Sequence, residues 1–148
     1  MIAALLPGLP PLLLVLAATF VYAGVTAGSN AYQIQRGFNI SHLWETRERL
    51  VAVAGFVLLA YAPRGIEHWW NGLAPLLAAG AAACLFGLRF DIRLNLRRLL
   101  PRYYLGTDPQ TAATDKRIRA RGLTGRAFAW LKLGGVVVLS LIAFLLSK

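Results

Sequence analysis

Residues 73–100 read LAPLLAAGAAACLFGLRFDIRLNLRRLL, an apolar stretch followed directly by a basic one. The first 16 of these residues include no Asp, Glu, Lys, Arg or His, as is typical of a helix buried in a bilayer. Similar uncharged stretches occupy residues 9–27, 50–62 and 133–146. Together they predict an all-α, polytopic membrane protein with four transmembrane helices. The expected spans cover about residues 9–27, 47–62, 73–90 and 130–146.

The composition also favours a membrane location. Hydrophobic residues make up 57% of the 148-residue chain, which is more than a soluble domain of this size can bury, whereas a bilayer solvates them. The spans leave room only for short loops and for a basic segment at about residues 91–126, so we expect one integral membrane domain over residues 1–148. No Lys or Arg precedes the first apolar stretch, which favours a retained span over a cleaved signal peptide.

The second stretch is the shortest of the four. Its apolar part has 13 residues, and at ~1.5 Å per residue these cover roughly 20 Å of a hydrocarbon core about 30 Å thick. A full crossing therefore requires the charged ends of Arg47 and Arg49 to reach the interface, where Trp44 would also lie. The alternative is a re-entrant hairpin formed by the second and third spans, which leaves the sidedness of the loops unchanged.

The net charge of +10 is distributed unevenly along the chain. If every span crosses, residues 28–49 and 89–132 share one side of the membrane and hold 14 of the 16 Lys and Arg residues, while Arg64 and Lys148 face the other side. Under the positive-inside rule this asymmetry predicts a cytoplasmic basic segment and external N and C termini, with a bacterial inner membrane as the expected location. Topology thus accounts for the charge, and no nucleic-acid partner is expected.

The basic residues after the third span are the strongest local signal for binding. They are Arg89, Arg93, Arg97, Arg98 and Arg102. Near a membrane surface each such residue contributes ~1 kcal/mol of attraction to anionic lipid, so these arginines are candidate contacts for lipid headgroups or for a partner. The alternative is a topology anchor, in which the same charges prevent translocation without binding a specific ligand.

Asp91 and Asn95 lie one helical turn apart at the point where the third span leaves the membrane. We expect Asp91 to pair with Arg47 or Arg49 and so to lock the second helix to the third. A catalytic or ligand-binding carboxylate is the alternative, although one acid without a partner acid or base is weak support for catalysis.

Small residues four positions apart allow helices to approach closely in membranes. Two such sets occur: Gly24 with Gly28 in the first span, and Ala79, Ala83 and Gly87 in the third. They predict close helix packing, either within one chain or between copies of it.

Metal, redox and nucleotide chemistry have little support. Cys84 is the only cysteine, which excludes an internal disulfide. Two acid–histidine pairs, His42 with Glu45 and Glu67 with His68, fall on opposite sides of the expected topology, and each supplies too few ligands for zinc. No nucleotide-binding or hydrolase motif is present, and no charged residue lies within the apolar stretches to couple transport. We therefore expect no metal, no cofactor and no catalytic residue.

Residues 90–107 contain the run FDxxxNxxRxxPxxYxGT. This run resembles the exit of the third span in small uncharacterised four-helix membrane proteins from bacterial and phage genomes, many of which carry F-D…N…R-G…Y-x-G. Leu99 occupies the position after the arginine, where those proteins often have Gly. The resemblance implies a shared four-helix architecture, in which Asp91, Asn95 and Tyr104 fix the end of the helix.

Three classes of function fit these observations. The first is a non-enzymatic, oligomeric scaffold, or a subunit of a membrane complex, that binds partners or anionic lipid through its basic cytoplasmic segment. The second is a pore-forming, holin-like protein that permeabilises the membrane. The third is a membrane enzyme that acts on a lipid or small amphiphile, with Asp91, Asn95 and the arginines as its site.

Overall fold

The computed structural model describes residues 10–38, 42–64, 72–106 and 113–147, and within these ranges the regular secondary structure is helical, with no strand. This confirms the predicted all-α class. A 3₁₀ turn at Ala62–Arg64 follows the second helix. The five α-helices are α1 Pro11–Gln35, α2 His42–Tyr61, α3 Leu73–Arg97, α4 Ala113–Ala120 and α5 Gly125–Leu146.

Three helices, α1, α3 and α5, are long and apolar enough to cross a membrane, as in an integral membrane protein. The helix α2 is not among them, because its first two turns carry Glu45, Arg47, Glu48 and Arg49. Three of the four predicted spans therefore correspond to helices that could cross a bilayer on the strength of their own length and composition.

The ends of the helices follow from local backbone chemistry. Pro11 occupies the first turn of α1, where its missing N–H costs no hydrogen bond. At the start of α5 the Thr124 hydroxyl accepts a hydrogen bond from the Ala127 N–H at 3.1 Å. The helix α3 ends at Arg97, because Leu99 adopts a left-handed conformation (φ 58°) and the Leu100 N–H returns to the Asn95 carbonyl at 2.9 Å. This is a Schellman ending, in which glycine is the usual residue at the left-handed position.

The helix α3 lies at the centre of the bundle, with α1 and α5 packed against it and α2 packed against both α1 and α3. The helices α1 and α3 run parallel, since Leu12 shares a buried cluster with Ala78, and Ala27 shares another with Phe90. The helix α5 runs antiparallel to α3, because its distal Ala143 joins the Ala78 cluster.

The helix α2 runs antiparallel to α1 and α3. Its last turns place Val57 in one buried cluster with Val15 of α1 and Ala82 of α3. Its early residue Arg49 lies over the Phe90 ring, near the far end of α3. Over this length α2 therefore covers the same depth of the bundle as the two parallel helices.

The residues in the α1–α3 interface are shifted by one position from the predicted glycines. Ala23, Ala27 and Ala31 are buried, whereas a Cβ on Gly28 would meet no atom within 4 Å. Gly24 is likewise beside the interface, because its Cβ would approach only the Arg89 Nε, at 4.0 Å. The predicted pair Gly24 and Gly28 thus lies next to the contact face of α1.

The predicted small-residue face of α3 is divided among different environments. Ala79 packs against the cluster shared by α1 and α2, Ala83 is exposed, and Gly87 faces Lys132 of α5. The fully buried small residues of α3 are Ala78, Ala81 and Ala82. One close contact between α3 and α5 depends on a glycine of α5: a Cβ on Gly135 would lie 2.8 Å from the Cys84 Sγ.

Candidate functional site

A buried amide organises the basic end of the bundle. Asn95 lies on the last turn of α3 with 6% of its surface exposed. Its Nδ2 donates hydrogen bonds to the carbonyl oxygens of Arg102 at 3.3 Å and Tyr104 at 3.0 Å. The chain after Pro101 is therefore folded back onto α3, because a buried amide and two backbone carbonyls satisfy one another there.

The helix α4 holds the same loop from the other side. The Gly106 N–H donates to the Asp115 Oδ2 at 2.6 Å, and the Arg119 Nη2 donates to the Gly106 carbonyl at 2.6 Å. Both backbone groups of Gly106 are thus bound by side chains of α4, one acidic and one basic. These contacts fix a short, basic helix against the loop that follows α3. Thr107, the last residue of the sequence run noted above, lies outside the described residues.

Asp91 joins α3 to α5. Its Oδ2 lies 2.5 Å from the Lys132 Nζ, although the Asp91 side chain remains 51% exposed. The Lys132 side chain passes over Gly87, where an added Cβ would lie 3.2 Å from its Nζ. Because Gly87, one turn before Asp91, has no side chain, the Lys132 side chain can lie across α3 here and reach Asp91.

The observed partner of Asp91 corrects the expectation of an arginine from α2. Arg49 is paired instead with Glu45 of its own helix at 2.7 Å. The Arg49 guanidinium also lies 4.2 Å from the centre of the Phe90 ring and 5.4 Å from that of Phe86. Arg49 thus links α2 to α3 through aromatic rings, whereas the Asp91 ion pair links α3 to α5.

Sequence reasoning missed the roles of Lys132 and Gly125. Lys132 lies 41 positions from Asp91 along the chain, so no local pattern in the sequence indicates that the two residues pair. Gly125 begins α5, and a Cβ there would overlap the carbonyl oxygen of Tyr103. A glycine directly after the capping residue Thr124 was the available sign of a close backbone approach.

The space beside these residues is small. A cavity of about 20 Å³ is bordered by Asp91, Asn95, Tyr104 and Lys132, among others. This volume suits about one water molecule. A lipid or amphiphile does not fit inside it.

A larger groove runs between α1 and α3, and we call it the arginine groove. It encloses about 430 Å³. It is lined by Phe20, Val21, Gly24, Val25, Gly28 and Ser29 of α1 and by Arg89, Arg93 and Arg97 of α3. Because α1 and α3 are parallel, the aromatic and branched side chains lie towards one end of the groove, and Ser29 lies towards the other.

Three of the five predicted binding arginines thus line one groove, while Arg98 and Arg102 lie outside it. Arg89 extends back along α3, and its guanidinium lies 4.2 Å from the centre of the Phe20 ring. Its Nε is buried and has no hydrogen-bond partner within the described part of the chain. A buried donor without a partner costs about 1–3 kcal/mol.

No carboxylate of the described residues forms an ion pair with the arginines of the groove. Asp91 is paired with Lys132, Glu45 is paired with Arg49, and Asp115 accepts from the backbone of Gly106. The groove therefore concentrates positive charge beside an apolar surface.

The described residues contain no group of three His, Cys, Asp or Glu side chains placed to hold a metal. Of the two acid–histidine pairs considered above, Glu67 and His68 lie outside the described residues, as does the side chain of His42. Comparisons with protein-family models, with curated proteins and with solved structures each found no match.

Proposed function

We propose that the protein is a non-enzymatic integral membrane module that binds anionic lipid at its basic end. The observation that supports this most directly is the arginine groove, where three cations face apolar side chains and no described carboxylate pairs with them. Arginine forms strong, charge-assisted hydrogen bonds to phosphate oxygens. A phospholipid offers a phosphate and a hydrocarbon chain in one molecule, which matches both halves of the groove.

The proposal includes α2 as a fourth span. The helices α1 and α3 are parallel, so the chain must return across the thickness of the bundle between them. The helix α2 makes this return, with Val57 level with Val15 and Arg49 level with Phe90. If α1 and α3 both cross the bilayer, α2 must cross it as well. The Glu45–Arg49 ion pair reduces the free-energy cost of placing these two charges of α2 in the bilayer.

The positive-inside rule then gives the orientation of the proposed bundle. The end that carries Arg89, Arg93 and Arg97 lies in the cytoplasm together with α4, whose basic residues include Lys116 and Arg117. Both termini lie outside. This arrangement places the arginine groove at the inner leaflet, where the surface of a bacterial membrane is negative.

Thermal unfolding in a neutral detergent tests whether anionic lipid binds. Phosphatidylglycerol should raise the unfolding midpoint by several °C, since a ligand at about 100 times its Kd stabilises by about 2.7 kcal/mol. Phosphatidylcholine at the same concentration should have little effect, and added salt should reduce the difference between the two lipids. Equal midpoints with both lipids would contradict the proposed function.

A further inference from the structure

Gly24 and Gly28 line the arginine groove but do not form the packing face of α1. The buried residues of α1 in this region are Ala23, Ala27 and Ala31. Ala23 and Ala27 immediately precede the two glycines in the sequence. A Cβ on Gly28 would meet no atom within 4 Å, so the groove has open space beside this position. The glycines thus provide open space directly opposite the arginines.

The arginines of the groove differ in depth. At about 1.5 Å per residue, Arg89 and Arg97 are separated by roughly 12 Å along α3. Arg97 is exposed, whereas the Arg89 guanidinium is directed back towards Phe20 and its Nε is buried without a partner. A charged group at this position is costly in a bilayer unless water or an anion accompanies it. We therefore expect the binding free energy of an anion to be most favourable at the depth of Arg89.

The groove also changes in polarity along its length. Beyond Arg89 it continues along Phe20, Val21 and Val25, which are 45%, 65% and 66% exposed. Ser29 lies at the opposite end of the groove, beside the outer arginines. A ligand that fits this arrangement is anionic at one end and apolar at the other, with the two parts in direct succession.

We propose that the arginine groove is a seat for a single anionic phospholipid. Its phosphate is held by Arg89 and Arg93, and one acyl chain runs along Phe20 and Val25. In this arrangement Gly28 is a specificity-determining position, because the absence of its side chain admits the glycerol and phosphate of the lipid. The inference rests on the proposed binding of anionic lipid. It adds where the lipid binds, that one lipid binds per chain, and that Gly28 leaves space for it.

Native mass spectrometry of the detergent-solubilised protein with phosphatidylglycerol tests the seat. We expect one tightly held lipid per chain in the wild-type protein. The Gly28→Leu variant keeps every arginine but fills the groove, so lipid retention should fall by roughly tenfold or more. Retention should fall similarly in the triple variant Arg89→Gln, Arg93→Gln, Arg97→Gln.

Two controls separate this seat from a general effect of charge or folding. The triple variant Lys116→Gln, Arg117→Gln, Arg121→Gln removes the same charge outside the groove, and it should retain the lipid. Gly55→Leu places a leucine at a position of α2 with no atom within 4 Å of an added Cβ, and it should also retain the lipid. The unfolding midpoint of each variant without lipid establishes that it is folded.

The possible results lead to different conclusions. If Gly28→Leu binds as well as the wild type, the groove is not the seat, even when phosphatidylglycerol binds elsewhere. If glycerol 3-phosphate displaces the lipid at equal concentration, the acyl chain adds nothing and the lipid seat is wrong. If the wild-type protein shows no preference for phosphatidylglycerol over phosphatidylcholine, the proposed function itself fails.

Discussion

Asn95 holds the loop after α3 through both hydrogens of one amide group. Its Nδ2 donates to the carbonyl oxygens of Arg102 and Tyr104 from a site with 6% exposure. The Asn95→Asp variant keeps the size of the side chain but replaces the donor with a carboxylate oxygen. Each unsatisfied buried carbonyl costs about 1–3 kcal/mol.

We therefore expect Asn95→Asp to lower the free energy of unfolding by about 2 kcal/mol or more. The measurement is the thermal unfolding midpoint in neutral detergent, with Arg98→Ala as the control because Arg98 is exposed on the same turn. Equal midpoints for the wild-type protein and Asn95→Asp would mean that these hydrogen bonds do not hold the loop.

Leu99 adopts a backbone conformation that suits glycine. Its φ is 58° and its side chain is 93% exposed. The left-handed conformation costs free energy, and the exposed side chain regains little of it through packing. We expect Leu99→Gly to stabilise the protein by about 1 kcal/mol. Leu96→Gly, within the last helical turn, should destabilise by a similar amount because glycine weakens a helix interior. Opposite shifts of the unfolding midpoint support this account, and a loss of stability in Leu99→Gly would refute it.

At this scale the sequence predicted some positions but not their partners. Asn95 and Tyr104 were singled out as members of one polar run at the exit of the third span, and the structure brings the Asn95 amide to the Tyr104 carbonyl. The pairing of Asp91 with Lys132 depends on the register of α5 against α3, which 41 intervening residues do not reveal. Arg47 and Arg49 were the expected partners of Asp91, but Arg49 pairs with Glu45 of its own helix.

The packing of α3 on α5 depends on a glycine at one contact. An added Cβ on Gly135 would lie 2.8 Å from the Cys84 Sγ, while one on the adjacent Gly134 would meet nothing within 4 Å. We expect Gly135→Ala to lower the unfolding midpoint by several °C, because overpacking typically costs about 1–3 kcal/mol. Gly134→Ala should leave the midpoint unchanged or raise it, since alanine favours a helix.

A second substitution identifies the clashing atom. Cys84→Ala removes the sulfur that Gly135→Ala would meet, so the double variant should recover most of the lost stability. The coupling between the two sites is measured with a double-mutant cycle of unfolding free energies. Additive losses would show that the cost of Gly135→Ala arises elsewhere along α5.

At the scale of elements, the helices were easier to predict than their contact faces. The uncharged apolar stretches indicated where the long helices lie along the chain. In a span rich in Ala and Gly, however, small residues recur at several registers. Gly24 with Gly28 and Ala23 with Ala27 have the same spacing, so the sequence alone could not identify the pair that packs on α3.

The parallel arrangement of α1 and α3 leads to a test of the whole topology. In a Cys84→Ala background, single cysteines replace Arg36, between α1 and α2, and Arg64, after α2. If α2 crosses, a membrane-impermeant maleimide should label Arg64→Cys in intact cells and should label Arg36→Cys only after permeabilisation. Labelling of both from the same side would show that α2 does not cross and would overturn the four-span proposal.

The fold of the whole molecule follows from two properties of the sequence, its uncharged stretches and its uneven charge. Both are visible without coordinates, and they predicted the all-helical class. The site depends on a third property, the relative rotation of α1 and α3, which places Arg89, Arg93 and Gly28 around one groove. That rotation is set by buried contacts such as Ala27 with Phe90, and no local pattern specifies it.

The direction of the Arg89 side chain bears on the shape of the surrounding bilayer. Its guanidinium lies against Phe20, deeper than the α3 turn that carries it, and a cation there draws water and headgroups inward. The flank formed by α5 exposes the uncharged side chains of Trp130, Leu131 and Val138, which do not draw water or headgroups inward. We therefore expect the membrane to be thinner beside the α1–α3 flank than beside α5, so that each molecule acts as a wedge that favours curved membranes over flat ones.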